Sequence, residues 1–297
     1  MFRMRTKLFV PGSRPELFRK AALSAADAVS FDLEDAVAAD RKIEARNAVA
    51  GFLHKHMADY QKIAIVRVNP VASPLFSADV AGVVGVGLHV ISLPKVESQE
   101  DIKHAVAAIE SAEKPAGLNR KIGLLPTIET PKGLRLVFEI ASADKRVVGL
   151  QIGFADLFLP YGIDPEDDVA SQNARFTVRL AAAEVGIPAF DGAFLNVMDE
   201  SALKAEAKAA RRIGFSGKSC IHPSQILVLN DIFSPLPEEL AFATKVLDAA
   251  EQAEARGLGA FTVDGRMVDA PVIEYARAVI SIANKSVAEK KKTGDLE

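Results

Sequence analysis

Eight short runs rich in β-branched and other apolar residues recur along this chain, separated by longer stretches of alanine-rich, amphipathic spacing. The runs are Lys7 to Val10, Ala28 to Leu33, Ile63 to Val68, His89 to Leu93, Ile122 to Ile128, Val147 to Gly153, Pro188 to Asp191 and Phe215 to Ile221. Helical periodicity covers Pro15 to Ser24, Arg41 to Met57, Ser98 to Glu113, Leu134 to Ala141, Ala174 to Val185 and Glu200 to Ile213, while Pro74 to Val84 is poorly helical. Parallel strands need a crossover between them, so alternation of this kind predicts an α/β fold with a parallel sheet. Eight strands, seven crossovers and a following helix in about 230 residues match a single (β/α)8 TIM barrel, with a doubly wound open sheet as the alternative. The expected organisation is a barrel over residues 1–230 and a C-terminal helical extension over residues 231–297. In that extension a helix from Pro237 to Arg256, a loop FTVDGRMVDAP and a last helix from Val272 to about Ala288 are predicted, ending in a charged tail expected to fray.

Composition removes several function classes. The 36 Lys and Arg against 39 Asp and Glu leave a net charge of −3, which offers no field for a polyanion, and aromatic residues are only 6% of the chain. Nucleic acid is therefore not an expected partner. The longest apolar stretch, Val147 to Ile163, contains Gln151, Asp156 and Pro160, so no membrane span is expected. Pro11 interrupts the apolar run at Leu8 to Val10, so no export signal is expected, and a single cysteine, Cys220, fits a reducing, cytoplasmic setting. The run GVVGVG at Gly82 to Gly87 precedes a strand instead of following one, and GFSGKS at Gly214 to Ser219 lacks the first glycine of a phosphate loop, so neither is read as a nucleotide site.

In a barrel of this kind the reacting groups gather where strands end. Here those ends carry Asp32, Glu34 and Asp35 in FDLEDAV, Arg67 and Asn69 in VRVNP, Lys95 and Glu97 in LPKVES, Glu129 in TIETPKG, Asp156 in GFADLF, then Asp191 and His222. A carboxylate inside an apolar run is costly unless paired or bound to a cation. Glu129 and Asp156 on neighbouring strands therefore suggest a metal, and oxygen ligands without Cys or paired His favour Mg2+, with Mn2+ possible. Structural pairing of either with Arg67 or Lys95 is the competing reading. Arg67 sits in too apolar a context to be solvated and calls for an anion, a carbonyl oxygen, or a pair with Glu34 or Asp35. If strand two continued, alternation would send Asp32 and Glu34 to one face and Asp35 to the other, so all three cannot be ligands.

Taken together, RTKLFVPGSRPELFRKA, FDLEDAV, VRVNP, LPKVES, IETPKGL, GFADL, GFSGKSCIHPSQI and DGRMVDAPV resemble, in order, the citrate lyase β-subunit-like family of acyl-CoA lyases, relatives of the HpcH/HpaI aldolases. The resemblance runs from about Arg5 to about Ala283. It implies a barrel, usually trimeric, that uses Mg2+ to cleave or form a carbon–carbon bond in a 3-hydroxyacyl thioester. By motif match, Glu129 and Asp156 are implied as metal ligands and Arg67 as the contact to substrate oxygens and the developing enolate. Glu34 and Asp35 are implied behind them, holding waters or Arg67. Asp269 in GRMVDAP is implied as an acid/base delivered to a neighbouring subunit, the alternative being a cap for the helix near Pro271. Ser13, Arg14 and Lys20 are implied to meet the phosphates of CoA, and the Pro94 and Lys95 turn to shape the acyl pocket.

Where citrate lyase subunits typically read INPRQ this chain reads IHPSQ, which favours a stand-alone CoA enzyme. The reaction expected first is cleavage of (S)-citramalyl-CoA to pyruvate and acetyl-CoA. Malyl-CoA or methylmalyl-CoA cleavage, a citryl group on an acyl carrier, and a non-catalytic CoA-binding homologue are the alternatives. His222 is expected to pin the last strand through backbone hydrogen bonds.

Overall fold

Eight strands close on themselves: β1 (Thr6–Pro11), β2 (Ala28–Asp32), β3 (Ile63–Arg67), β4 (Val90–Leu93), β5 (Gly123–Ile128), β6 (Leu150–Ile152), β7 (Ala189–Asp191) and β8 (Gly217–Cys220). Each is parallel to the next, and β1 pairs with β8 to complete the barrel. The computed structural model describes residues 4–294, so the fraying predicted for the very end of the chain falls on residues outside those described. Around the barrel lie α1 (Phe18–Ala22), α2 (Lys42–His56), α3 (Phe76–Val83), α4 (Gln99–Ala116), α5 (Pro131–Arg135), α6 (Val137–Ser142), α7 (Phe154–Phe158), α8 (Asp168–Glu184), α9 (Glu200–Ile213) and α10 (Ser224–Ile232). The expected (β/α)8 barrel is the fold. No helix among the described residues is long and apolar enough to cross a membrane.

The segment expected to be poorly helical forms α3. Phe76, Val80 and Val83 recur at helical spacing and are buried, and Asp79 between them bonds Arg46 of α2, so packing overrides a weak local signal. The expected helix from Leu134 to Ala141 is two pieces, α5 and α6, broken at Leu136. Helix α8 begins six residues before the predicted Ala174, because Asp167 caps it by accepting a hydrogen bond from the Ala170 N–H at 2.8 Å.

The chain divides into two compact units at Asp231 and Ile232. The second holds α11 (Pro237–Glu254), β9 (Phe261–Val263), β10 (Arg266–Val268) and α12 (Ala270–Gly294) around a core that includes Val246, Val263, Val268 and Val279. The expected loop FTVDGRMVDAP is thus a β-hairpin. Asp264 and Gly265, with φ of 48° and 77°, make the tight turn that an Asp-Gly pair favours.

Inside the barrel, one end is apolar: Met4, Ala28, Ile65, Val90, Leu125 and Phe190 pack together. Outside it, alternate residues meet the helices, as where Phe31 of β2 touches Phe18 with ring centroids 5.0 Å apart. Asp191 and Lys218 also face outward. Arg175 of α8 donates to Asp191 at 2.9 Å and Lys218 Nζ to the same carboxylate at 2.7 Å, with Glu206 of α9 joining the group. Asp191 is fully buried, and although burial alone would raise its pKa, the charges of Lys218 and Arg175 hold it below the ordinary carboxylate range. Its carboxylate therefore belongs to the barrel wall, not the mouth. Asp191→Ala would leave two buried cations with only Glu206 to share and should destabilise the protein by about 3 kcal/mol, read as a lower midpoint in urea denaturation; an unchanged midpoint would refute that role.

Candidate active site

Asp32 and Arg67 end β2 and β3 and are directly paired in register, so both side chains emerge side by side at the barrel mouth. Arg67 grips Asp32 with two hydrogen bonds, Nε to Oδ1 at 2.7 Å and Nη2 to Oδ2 at 2.6 Å. The same carboxylate accepts from the backbone N–H groups of Glu34 at 2.9 Å and Ala36 at 3.1 Å, so it also folds the following turn. That turn ends the strand at Asp32, and face alternation does not continue. Glu34 lies 3.0 Å and Asp35 3.7 Å from Arg67 Nη1, bringing all three acids of FDLEDAV to one guanidinium. Burial works against charge on both Asp32 and Arg67, but their mutual hydrogen bonds and attraction exceed it, lowering the Asp32 pKa and raising that of Arg67.

The turn has its own supports. Lys42, at the start of α2, donates to the carbonyls of Leu33 (2.7 Å) and Glu34. Asn69 donates to the Leu33 carbonyl at 3.2 Å and to Asp79 at 2.6 Å, and Asp79 in turn accepts from Arg46 at 2.7 Å. Spacing along the chain gives no hint of these contacts, since Lys42 and Arg46 read as ordinary helix charges and Asp79 lies in the segment expected to be poorly helical.

Lys95 follows β4 in a left-handed backbone conformation, φ 52°, uncommon for a residue with a side chain. This geometry turns its backbone N–H toward Glu129 Oε1, at 2.8 Å, while Nζ reaches Glu34 at 2.8 Å, Asp35 at 3.6 Å and Asp156 at 3.8 Å. Burial would lower the Lys95 pKa, yet the bond to Glu34 and the charges of Glu34, Asp35 and Asp156 raise it. Lys95, expected beside an acyl pocket, thus has its ammonium within the acidic ring.

Glu129 stands just beyond β5. Thr130 caps α5 by accepting from Gly133 N–H at 3.0 Å, Pro131 takes the first helical position, and Gly133 lets the Val96 carbonyl approach to where a Cβ would lie 2.4 Å away. Glu129 is 3% exposed and makes no ion pair among the described residues. Burial pushes its pKa up to about 8, the Lys95 N–H bond opposing and the nearby Glu34 charge adding. A buried carboxylate without a basic partner is a group that seeks a cation. Asp156, in the first turn of α7, is 40% exposed at the rim. Glu34 Oε2 is buried and, despite its closeness to Arg67, has no hydrogen-bond partner. No three His, Cys, Asp or Glu side chains among the described residues form a ready cage for a metal. Two oxygen donors with waters and substrate completing the shell are nevertheless what Mg2+ ordinarily takes, so this donor set fits a hard divalent ion.

The other expected residues fall elsewhere. Ser13 is half-buried, and Arg14 and Lys20 are exposed around the first βα loop, Arg14 paired with Glu16. The helix there is short and Arg14 makes no side-chain cap. Asp269, half-buried in the second unit, precedes α12 and its carbonyl accepts from Ile273 N–H at 3.0 Å; among the described residues its carboxylate makes no hydrogen bond or ion pair. Capping by that side chain is therefore not what holds it. His222 is a helix-start residue: its Nδ1 accepts from Ser224 N–H at 3.2 Å, whereas Gln225 Oε1 pins the strand end by accepting from Ile221 N–H at 2.9 Å.

A closed parallel barrel with an arginine ringed by carboxylates at the strand ends is the architecture of a barrel enzyme. The chain matches the HpcH/HpaI aldolase/citrate lyase family over residues 5–223. It is 36% identical over 292 residues to citrate lyase subunit beta of Haemophilus influenzae, covering 96% of this chain and 99% of that protein. It is 37% identical over 287 residues to the (3S)-malyl-CoA thioesterase of Cereibacter sphaeroides, 96% of each chain being covered. Among solved structures it is similar to protein CitE from Mycobacterium tuberculosis in complex with magnesium, acetoacetate and coenzyme A, with a TM-score of 0.75, 34% identity, and 95% of this chain and 98% of that one covered. The chain belongs to the HpcH/HpaI aldolase/citrate lyase family and is an enzyme of its carbon–carbon lyase type.

Gly153 backs Glu129 so closely that an added Cβ would lie 2.5 Å from Glu129 Oε2. Gly153→Ala should displace that carboxylate and cut turnover by about 100-fold with the fold retained. Steady-state kinetics beside circular dichroism checks this, and full activity in a folded variant would show that Glu129 need not hold its position.

Proposed function

We propose that this protein is a Mg2+-dependent lyase that splits a 3-hydroxyacyl-CoA into acetyl-CoA and a 2-oxo acid, with (S)-citramalyl-CoA, giving pyruvate, as the first choice of substrate. The observation that carries the reading is a buried Glu129, without an ion pair among the described residues, near an Arg67 contacted by three carboxylates. Glu129 and Asp156 would hold the ion, Mn2+ being an acceptable substitute on the same oxygen donors. When bound, the ion supplies Lewis acidity toward the hydroxy-acid end of the substrate. Arg67 faces the substrate oxygens and the negative charge that develops on the thioester fragment as the bond breaks. Glu34 and Asp35 keep Arg67 and Lys95 oriented. Asp269 takes the hydroxyl proton during cleavage and serves as acid in the reverse direction. The exposed cations Arg14 and Lys20, with Ser13, receive the phosphates of CoA.

Asp269 acts in this reading on the site of a neighbouring copy, the second unit serving as a lid, and the assembly is a homotrimer. Val169, Phe176 and Leu180 recur at helical spacing on α8 and are exposed, and an uncovered apolar face of this kind supports self-association. The IHPSQ sequence favours free CoA over a carrier protein. A methyl or hydrogen near the ion distinguishes citramalyl from malyl and methylmalyl substrates by only about 1–3 kcal/mol, so specificity rests on small pocket contacts.

Incubation with citramalyl-CoA, malyl-CoA, methylmalyl-CoA and citryl-CoA, with Mg2+ or EDTA, should give EDTA-sensitive release of acetyl-CoA from one compound. Release of free CoA without acetyl-CoA would instead mark a thioesterase, and inertness toward all four would point to a carrier-dependent subunit or a binding homologue. Glu129→Ala and Asp156→Ala should each abolish turnover and Mg2+ binding without unfolding the chain. Asp269→Asn should be slow in cleavage alone, and mixing it with Glu129→Ala after joint refolding should restore part of the activity. No recovery in mixed assemblies would count against action across subunits.

A further inference from the structure

Nothing proposed above uses Lys7, although it is 1% exposed and one of the largest fully buried side chains. It lies on β1 and faces the barrel axis, with its Nζ donating to Gln151 Oε1 of β6. Strand registers, read with the one-residue stagger of an eight-stranded barrel, place Ser30, Ser92, Gln151 and Ser219 in one layer, one residue from each even-numbered strand. Such layers are ordinarily filled by bulky aliphatic residues. Three serines leave room here, and the lysine chain rises into it from the apolar layer below.

The hydroxyls of Ser30, Ser92 and Ser219, and of Thr127 one layer higher, have no hydrogen-bond partner among the described residues, and none of these residues is more than 2% exposed. An ammonium has three protons to place, and buried polar groups are seldom left unsatisfied, so these hydroxyls suit ordered water around the charge. Above it, Nζ lies 4.3 Å from the Phe9 ring centroid, and the Arg67 guanidinium lies 5.0 Å from the same ring. Lys7 therefore sits beneath the mouth, sharing the Phe9 ring with Arg67. Burial brings its pKa down to about 7, the Arg67 charge adding to this, while Asp32, Glu129 and Cys220 oppose it.

The mouth gathers five carboxylates, Asp32, Glu34, Asp35, Glu129 and Asp156, around two cations, Arg67 and Lys95. With all of them ionised, three negative charges remain in excess; Lys7 reduces these to two, the charge of one divalent ion. We propose that Lys7 is an internal counter-cation of this ring, weakening its hold on the divalent ion and strengthening its hold on the anionic 2-oxo acid. The inference rests on the reading of Glu129 and Asp156 as ion ligands. Lys7 touches neither substrate nor ion and acts through the field alone, which is effective at this depth because the side chain is shielded from bulk solvent.

Calorimetric titration of the full-length protein at pH 6.5 with MgCl2, and with pyruvate at saturating Mg2+, tests it. Lys7→Met and Lys7→Gln should each bind Mg2+ about tenfold more tightly and pyruvate several-fold more weakly. A packing role would weaken both ligands together; that result, or unchanged affinities in a folded variant, would overturn the proposal. Lys7→Gln, which can keep a hydrogen bond to Gln151, carries the test if Lys7→Met does not fold. Glu129→Gln separates the two readings. Mg2+ binding that depends on Glu129 but ignores Lys7 sinks the counter-cation alone, whereas wild-type binding that is absent or indifferent to Glu129 sinks both.

Discussion

The bidentate pair between Asp32 and Arg67 is the contact on which the rest of the mouth depends. Register puts the two residues side by side, and their hydrogen bonds offset part of the cost of taking both charges out of water. Because Asp32 also accepts the backbone N–H groups of Glu34 and Ala36, one carboxylate sets both the arginine and the turn that brings two further acids to it. Loss of Asp32 would leave a buried guanidinium with weaker partners and a turn without its anchor.

From that pair the charge pattern spreads around the barrel in order. Glu34 bonds Lys95, the left-handed Lys95 backbone presents an N–H to Glu129, and Glu129 receives no cation of its own. Arg67 and Lys95 are both engaged by other acids, and among the described residues Glu129 makes no ion pair. An imbalance of this kind is what a divalent-ion site requires, because the ion must find negative charge that the protein has not already neutralised. The outer supports, Lys42, Asn69, Asp79 and Arg46, keep the turn from moving to satisfy Glu129 differently.

Much of this was legible in the chain. Charged residues at the ends of apolar runs marked Arg67, Glu129 and Asp156, since a strand and the turn after it are local features. What stayed hidden was direction and partnership. Asp191 ends a strand as Glu129 does, but its side chain faces α8 and α9, where Arg175 and Lys218 meet it. Face alternation would have separated Asp35 from Glu34 only had β2 run past Asp32, and it stops there. Helix α3 was missed because its stability comes from packing and from the Arg46 to Asp79 contact, and the hairpin at Asp264 because the Asp-Gly signal lay between very short strands.

By itself the sequence determined that strands would alternate with helices, that the sheet would be parallel, and that acids would stand at its ends, since each follows from spacing within a few residues. Only the tertiary structure decided that Arg67 meets Asp32, that Lys95 enters the acidic ring, that Asp191 turns outward and that Lys7 reaches Gln151 across the barrel. These pairs join residues from 16 to 144 positions apart. Their geometry is set by how eight strands close and stagger, a property of the whole ring that no local window of sequence contains.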